Sequence, residues 1–179
     1  MQLVKAKEDE SVTEKPYRSL VGCLMYPMLW TRPDLAFAVG SLGQYSSCAT
    51  DEHWKAGMEV LRYIRGATDL SLVFHGSELF DMVGYADSDY AADKTTGKSV
   101  FGYAFFIGNC LISWKSKKLQ RVATSSTIAE IEALYQVCTE GIWLNEFLEN
   151  LNLIEKKLFK IWEDNQAAIV IVNGERYLE

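Results

Sequence analysis

The sequence predicts an α/β chain. Its expected core is a mixed sheet of three antiparallel strands, a crossover helix and a fourth strand parallel to the first, with a small helical unit ahead of it. Three observations carry this prediction. The apolar period changes from about 3.6 to 2 after Gly66. Gly108-Asn109 is a two-residue hairpin signal between two strand-like runs. A long helix-period stretch ending near Leu151 is followed by a strand-like run, the order that a right-handed crossover leaves.

The chain has 179 residues and 49% hydrophobic content, enough to fill a core. No apolar run is long enough to span a bilayer, and the charged N-terminus lacks an apolar signal segment, so neither a membrane span nor a secretory leader is expected. Cys23, Cys48, Cys110 and Cys138 are too scattered for a metal pattern or a disulfide framework, and read as reduced, buried and intracellular. His53 and His75 read as structural. The net charge of −6 argues against wholesale nucleic-acid binding.

Residues 1–16 are polar and aperiodic, and are expected to form a loosely attached tail. A first helix starts at Tyr17, with Leu20, Val21, Leu24, Met25 and Met28 on one face. Pro33 suits the first turn of a second helix carrying Leu35, Ala36, Val39, Leu42 and Tyr45. Asp51 starts a third, with Trp54, Met58, Leu61 and Ile64 as its stripe and Gly66 as its stop. Tyr26, Met28, Trp30, Trp54 and Met58 read as core.

Residues 67–79 are expected to be a connecting strand, Leu70, Leu72 and Phe74 alternating, and a turn at Gly76-Ser77. Residues 80–179 form the second domain. Its strands are Met82 to Asp87, Ser99 to Ile107 and Cys110 to Trp114, with a loop from Asp93 to Gly97. The long helix, about Ser126 to Leu151, has Ile131, Leu134 or Tyr135, Cys138, Ile142 and Leu148 as its apolar face. The strand Leu158 to Glu163 and a last helix, Gln166 to Val172, follow.

The chemistry lies in the acids. Asp87, Asp89 and Asp93 stand among small residues in VGYADSDYAAD, and alternation lets Asp87 and Asp89 point the same way. In the predicted topology the first strand ends at the edge where the long helix, carrying Glu130, begins. The fourth strand ends at that edge with Asp164. Three carboxylates from three elements are the raw material of an oxygen-ligand Mg²⁺ site, because a divalent cation relieves their mutual repulsion. Two such ions could activate a water and stabilise a phosphodiester's leaving oxygen. Each acid also has a local alternative. Asp87 and Asp89 fit strand-end turns, Glu130 fits a capping box with Thr127, and Asp164 fits a helix cap. Lys115, Lys117, Lys118 and Arg121 form either a solvated loop or a phosphate-contacting patch.

The segments YRSLVGCLMYPMLWTRPDLAFAVGSLGQYSS, HWKAGMEVLRYIRGAT, VGYADSDYAAD, GYAFFIGNCLISWKSKKLQ, ATSSTIAEIEAL and EDNQAAI stand in the order found in Ty1/copia-type retrotransposon Pol polyproteins, which the chain resembles from residue 17 to 170. The resemblance implies that residues 17–66 are the end of a reverse transcriptase region and that 80–179 is an RNase H-like domain. It implies cleavage of the RNA strand of an RNA–DNA hybrid with two Mg²⁺, or Mn²⁺, ions. The catalytic and metal-binding acids would be Asp87, Glu130 and Asp164, with Asp89 weaker, and Lys115, Lys117 and Lys118 would touch backbone phosphate. The rest of the polyprotein would be a partner, and the setting an intracellular retroelement particle. The chain departs from the family at Ile128, where a second glutamate is usual. It lacks the polymerase palm, so DNA synthesis is not expected. It also stops before the family's remaining strand, last helix and final aspartate, so an inactive remnant that binds nucleic acid or protein is the alternative expectation.

Overall fold

A computed structural model describes residue 3 and residues 11–76, 81–154 and 158–174. The chain divides into two units, Met1–Leu72 and Val73–Glu179.

The first unit holds α1 (Tyr17–Trp30), a short 3₁₀ turn at Pro33–Leu35, α2 (Ala36–Gly43) and α3 (Asp51–Gly66). Pro33 opens the 3₁₀ turn that leads into α2, where its missing N–H costs nothing. Leu24, Leu35, Val39 and Leu42 are each only 1% exposed and anchor the cluster. Burial of such a side chain stabilises by about 1.5–3 kcal/mol. At the start of α3 the Nδ1 of His53 accepts from the backbone N–H of Thr50, a structural role for a buried histidine.

Several expectations for this unit need correction. Met25, Tyr26 and Trp30 are exposed rather than core, because they lie on the side of α1 away from Leu20, Val21 and Leu24. In α3 the buried positions are His53 and Gly57, and Leu61 is exposed. Gly57 lies against the Leu20 side chain, which a Cβ there would meet at 2.6 Å. Cys23 is exposed, not buried. The N-terminal segment is tethered where it is described: the Thr13 hydroxyl donates to Asp51, Lys15 pairs with Asp51 at 3.0 Å, and Leu3 accepts from the Tyr45 hydroxyl.

Residues 70–76 form no strand. Leu70, Val73 and Phe74 are exposed and the segment pairs with no strand, so alternation alone does not make a ladder. Ser77 lies outside the described residues.

The second unit contains β1 (Met82–Asp93), β2 (Lys98–Ile107), β3 (Cys110–Lys118), α4 (Ser126–Asn150), β4 (Lys160–Trp162) and α5 (Gln166–Val172). The sheet order is β3-β2-β1-β4, with antiparallel β1·β2 and β2·β3 and parallel β1·β4. This is the mixed sheet the sequence predicted, consistent with an RNase H-like fold. Gly108 and Asn109 both take positive φ, as the tight turn from β2 to β3 demands.

Three elements differ in extent. β1 runs on to Asp93 through an irregularity between Asp89 and Asp93. β3 runs on to Lys118, so the lysine-rich run is strand and not loop. β4 is regular only over Lys160–Trp162. The buried face of α4 is Ala129, Glu130, Ala133, Leu134, Val137, Gly141, Leu144 and Leu148, while Tyr135 and Ile142 are exposed. Small residues line this face because α4 lies close on the sheet: a Cβ at Gly141 would stand 3.1 Å from the ring of the fully buried Phe105.

Candidate metal centre

Asp87 is carried by β1. The register Val83 beside Lys160, Gly84 beside Ile161 and Tyr85 beside Trp162, continued by two residues, sets Asp164 abreast of Asp87. Glu130 comes from the second turn of α4. This helix is capped by Ser125, whose side chain accepts from the Ile128 N–H, so the alternative of a capping box from Thr127 does not hold and Glu130 is free of that role. Asp164 is equally free: Asn165 caps α5 by accepting from the Ala168 N–H.

These placements bring one carboxylate oxygen each of Asp87, Glu130 and Asp164 within 4.8 Å of one another. Asp87 and Asp164 are exposed and Glu130 is buried. The Oε2 of Glu130 is buried without a hydrogen-bond partner. An orphaned buried carboxylate oxygen is costly unless something cationic reaches it. Burial first, and the charge of Glu163 second, push the Glu130 carboxyl up to about 7; Asp87 and Asp164 add to the rise while Ser88 opposes it. The all-oxygen donor set and the uncompensated negative charge fit a hard divalent cation.

Asp89 is not part of the cluster. It lies further along β1, opposite Val100, and is exposed. Lys115 and Lys117 are exposed on β3, and Lys115 lies 5.9 Å from the centre of the Tyr103 ring. Lys117 is in register with Phe101, which is in register with Ser88 next to Asp87. Two strand spacings, roughly 10 Å, therefore separate Lys117 from the acid edge. Lys118 instead forms an ion pair with Asp93.

Sequence reasoning missed Glu163. Its Oε1 accepts from the Asn165 N–H at 3.0 Å and its Oε2 is buried and unpartnered. Burial raises its pKa, opposed by the Asn165 N–H and reinforced by the charges of Asp164 and Asp87. The available signal was its place directly before Asp164, where the alternation of β4, continued past Trp162, turns it to the opposite side of the sheet.

No protein-family model and no solved structure matches the chain. Curated relatives do. The Retrovirus-related Pol polyprotein from transposon TNT 1-94 of Nicotiana tabacum is 40% identical over 171 residues, 96% of this chain and 13% of that protein. The corresponding polyprotein from transposon RE2 of Arabidopsis thaliana is 38% identical over 85% of this chain and 10% of its own length. The chain thus spans about a tenth of the polyproteins it matches. Secreted RxLR effector protein 161 of Plasmopara viticola is 43% identical over 129 residues, 72% of this chain and 91% of that protein. With identity at this level over most of its length, the chain belongs to the family that joins the retrovirus-related Pol polyproteins of copia-type transposons to this short relative.

Proposed function

We propose that the second unit is an RNase H-type nuclease domain that hydrolyses the RNA strand of an RNA–DNA hybrid, and that residues 17–66 correspond to the end of a reverse transcriptase region. The observation that carries this reading is the convergence of one carboxylate oxygen each of Asp87, Glu130 and Asp164 to within 4.8 Å. These three residues would hold Mg²⁺. When bound, Mg²⁺ supplies an activated water and stabilises the oxygen that leaves the phosphodiester.

The chain's own residues set the geometry. Asp87 and Asp164 are the exposed acids, open to solvent and to an approaching strand, while Glu130 anchors the cluster from α4. Lys115 and Lys117 would contact backbone phosphate across the sheet. Lys118 is committed to Asp93 and drops out of that role.

The test is incubation of a labelled hybrid with the purified chain, with and without Mg²⁺, alongside Asp87→Asn and Asp164→Asn. Mg²⁺-dependent loss of the RNA strand, reduced at least about a hundredfold in either variant, is the expected result. Undiminished cleavage by Asp87→Asn would sink the assignment.

One observation favours a second reading, a folded binding module without cleavage. Secreted RxLR effector protein 161 matches this chain over 91% of its own length, so a protein of this extent carries the name of an effector and not of a polyprotein. In that case the chain binds hybrid or a protein partner, and Mg²⁺ changes neither its stability nor the substrate.

A further inference from the structure

Resting on the Mg²⁺ reading above, we propose that Glu163, from outside the close trio, strengthens cation binding as a fourth negative charge on the α4 side of the sheet edge. The argument begins with alternation along β4. Trp162 is exposed and Ile161 is half-buried against the core beneath α4. Continuing that alternation, Glu163 turns to the side that α4 covers, and Asp164 turns to the other side with Asp87. On the α4 side stand the buried Ser88 and Glu130.

The edge is therefore bounded from both faces, Asp87 and Asp164 on one and Glu130 and Glu163 on the other. Glu163 is held in place, since its Oε1 accepts from the Asn165 N–H at 3.0 Å. Its other oxygen, Oε2, is buried with no partner, as is the Oε2 of Glu130. Two orphaned carboxylate oxygens beside one cluster are an arrangement that a neutral core would not keep, and that a divalent cation compensates. Asp87, Glu130 and Asp164 form the close trio. Glu163 acts from beside them, as a fixed negative charge that deepens the potential at the site. A cap on α5 is not a sufficient account of it, because Asn165 already caps that helix through its own side chain.

The experiment is calorimetric titration of Mg²⁺ into the full chain, its Glu163→Gln and Glu163→Asp variants, and Asp164→Asn. Glu163→Gln keeps an oxygen for the Asn165 N–H and removes only the charge. Loss of one unit charge near a divalent ion weakens binding by about tenfold or more, and Glu163→Asp, which restores the charge, recovers most of it. A merely structural glutamate would give the opposite split, since Gln keeps an oxygen for the Asn165 N–H while Asp, one methylene shorter, draws its carboxylate away from it. If the parent chain and Asp164→Asn differ in Mg²⁺ affinity while Glu163→Gln matches the parent, the Glu163 assignment fails and the site stands. If the parent binds no Mg²⁺, both fail together.

Discussion

Asp93 is one of three aspartates in a single acidic run, and the fold gives it work unlike that of Asp87. Its carboxylate pairs with Lys118 and accepts from the Thr96 hydroxyl and the Thr95 N–H, closing the turn between β1 and β2. Burial acts to raise its pKa, but Lys118 and the two threonine donors outweigh it and hold the carboxyl at about 2, against an ordinary 3.8. A depressed carboxylate contributes stability that is complete above its unfolded pKa and lost as pH falls through its folded one. That contribution should disappear between pH 3.8 and about 2. Asp93→Asn should cost about 1–2 kcal/mol at neutral pH, after allowance for solvent screening, and should lose less stability than the parent across that acid window. Urea denaturation at stepped pH measures both. At this scale the three acids that the sequence singled out, Asp87, Glu130 and Asp164, come together in the structure, because the order of β1, α4 and β4 brings them to one edge. The local alternatives for them do not hold. Ser125 and Asn165 hold the cap positions that Thr127 and Asp164 also fitted, a choice set by where the backbone enters each helix.

Elements were legible by period and less so by face. The helix α4 was expected to bury Ile142 and either Leu134 or Tyr135, whereas Ala129, Ala133 and Gly141 make up much of its inner side. Hydrophobic patterning gives weight to large side chains, but a helix lying tightly on a sheet is selected for small ones. Gly84 is the sheet's contribution to the same closeness: a Cβ there would stand 2.6 Å from the ring of Phe105, which is fully buried. Gly84→Ala should therefore destabilise the second unit by roughly 1–3 kcal/mol through overpacking, read as a lower urea midpoint with an unchanged slope. An unchanged midpoint would mean that Phe105 can move aside. The extents of β1 and β3 were underestimated for a related reason. Charged residues such as Lys115 and Lys117 are poor strand formers alone, yet pairing with β2 carries them into the ladder.

Among the described residues, apolar burial falls into two clusters. One is built on Leu24, Leu35, Val39 and Leu42, and the other on Phe101, Phe105, Val137 and Leu144. Between their elements, residues 70–76 have no regular structure and expose Leu70, Val73 and Phe74. Brief chymotrypsin treatment should cut first at Leu70 or Phe74 and leave two resistant fragments, visible by mass spectrometry. First cuts inside α3 or β1 would contradict that division. The change of period after Gly66 marked this region in the sequence, while the absence of a pairing strand, which decides its structure, is a tertiary fact. The three acids of the cluster also lie far apart along the chain, at positions 87, 130 and 164. A cation held by them would bind only after β1, α4 and the segment following β4 had all assembled, and an unfolded chain would offer it no comparable grip. An ion bound there would thus act as a latch that ties β1, α4 and the segment after β4 together, adding about 2.7 kcal/mol at a hundredfold excess over Kd.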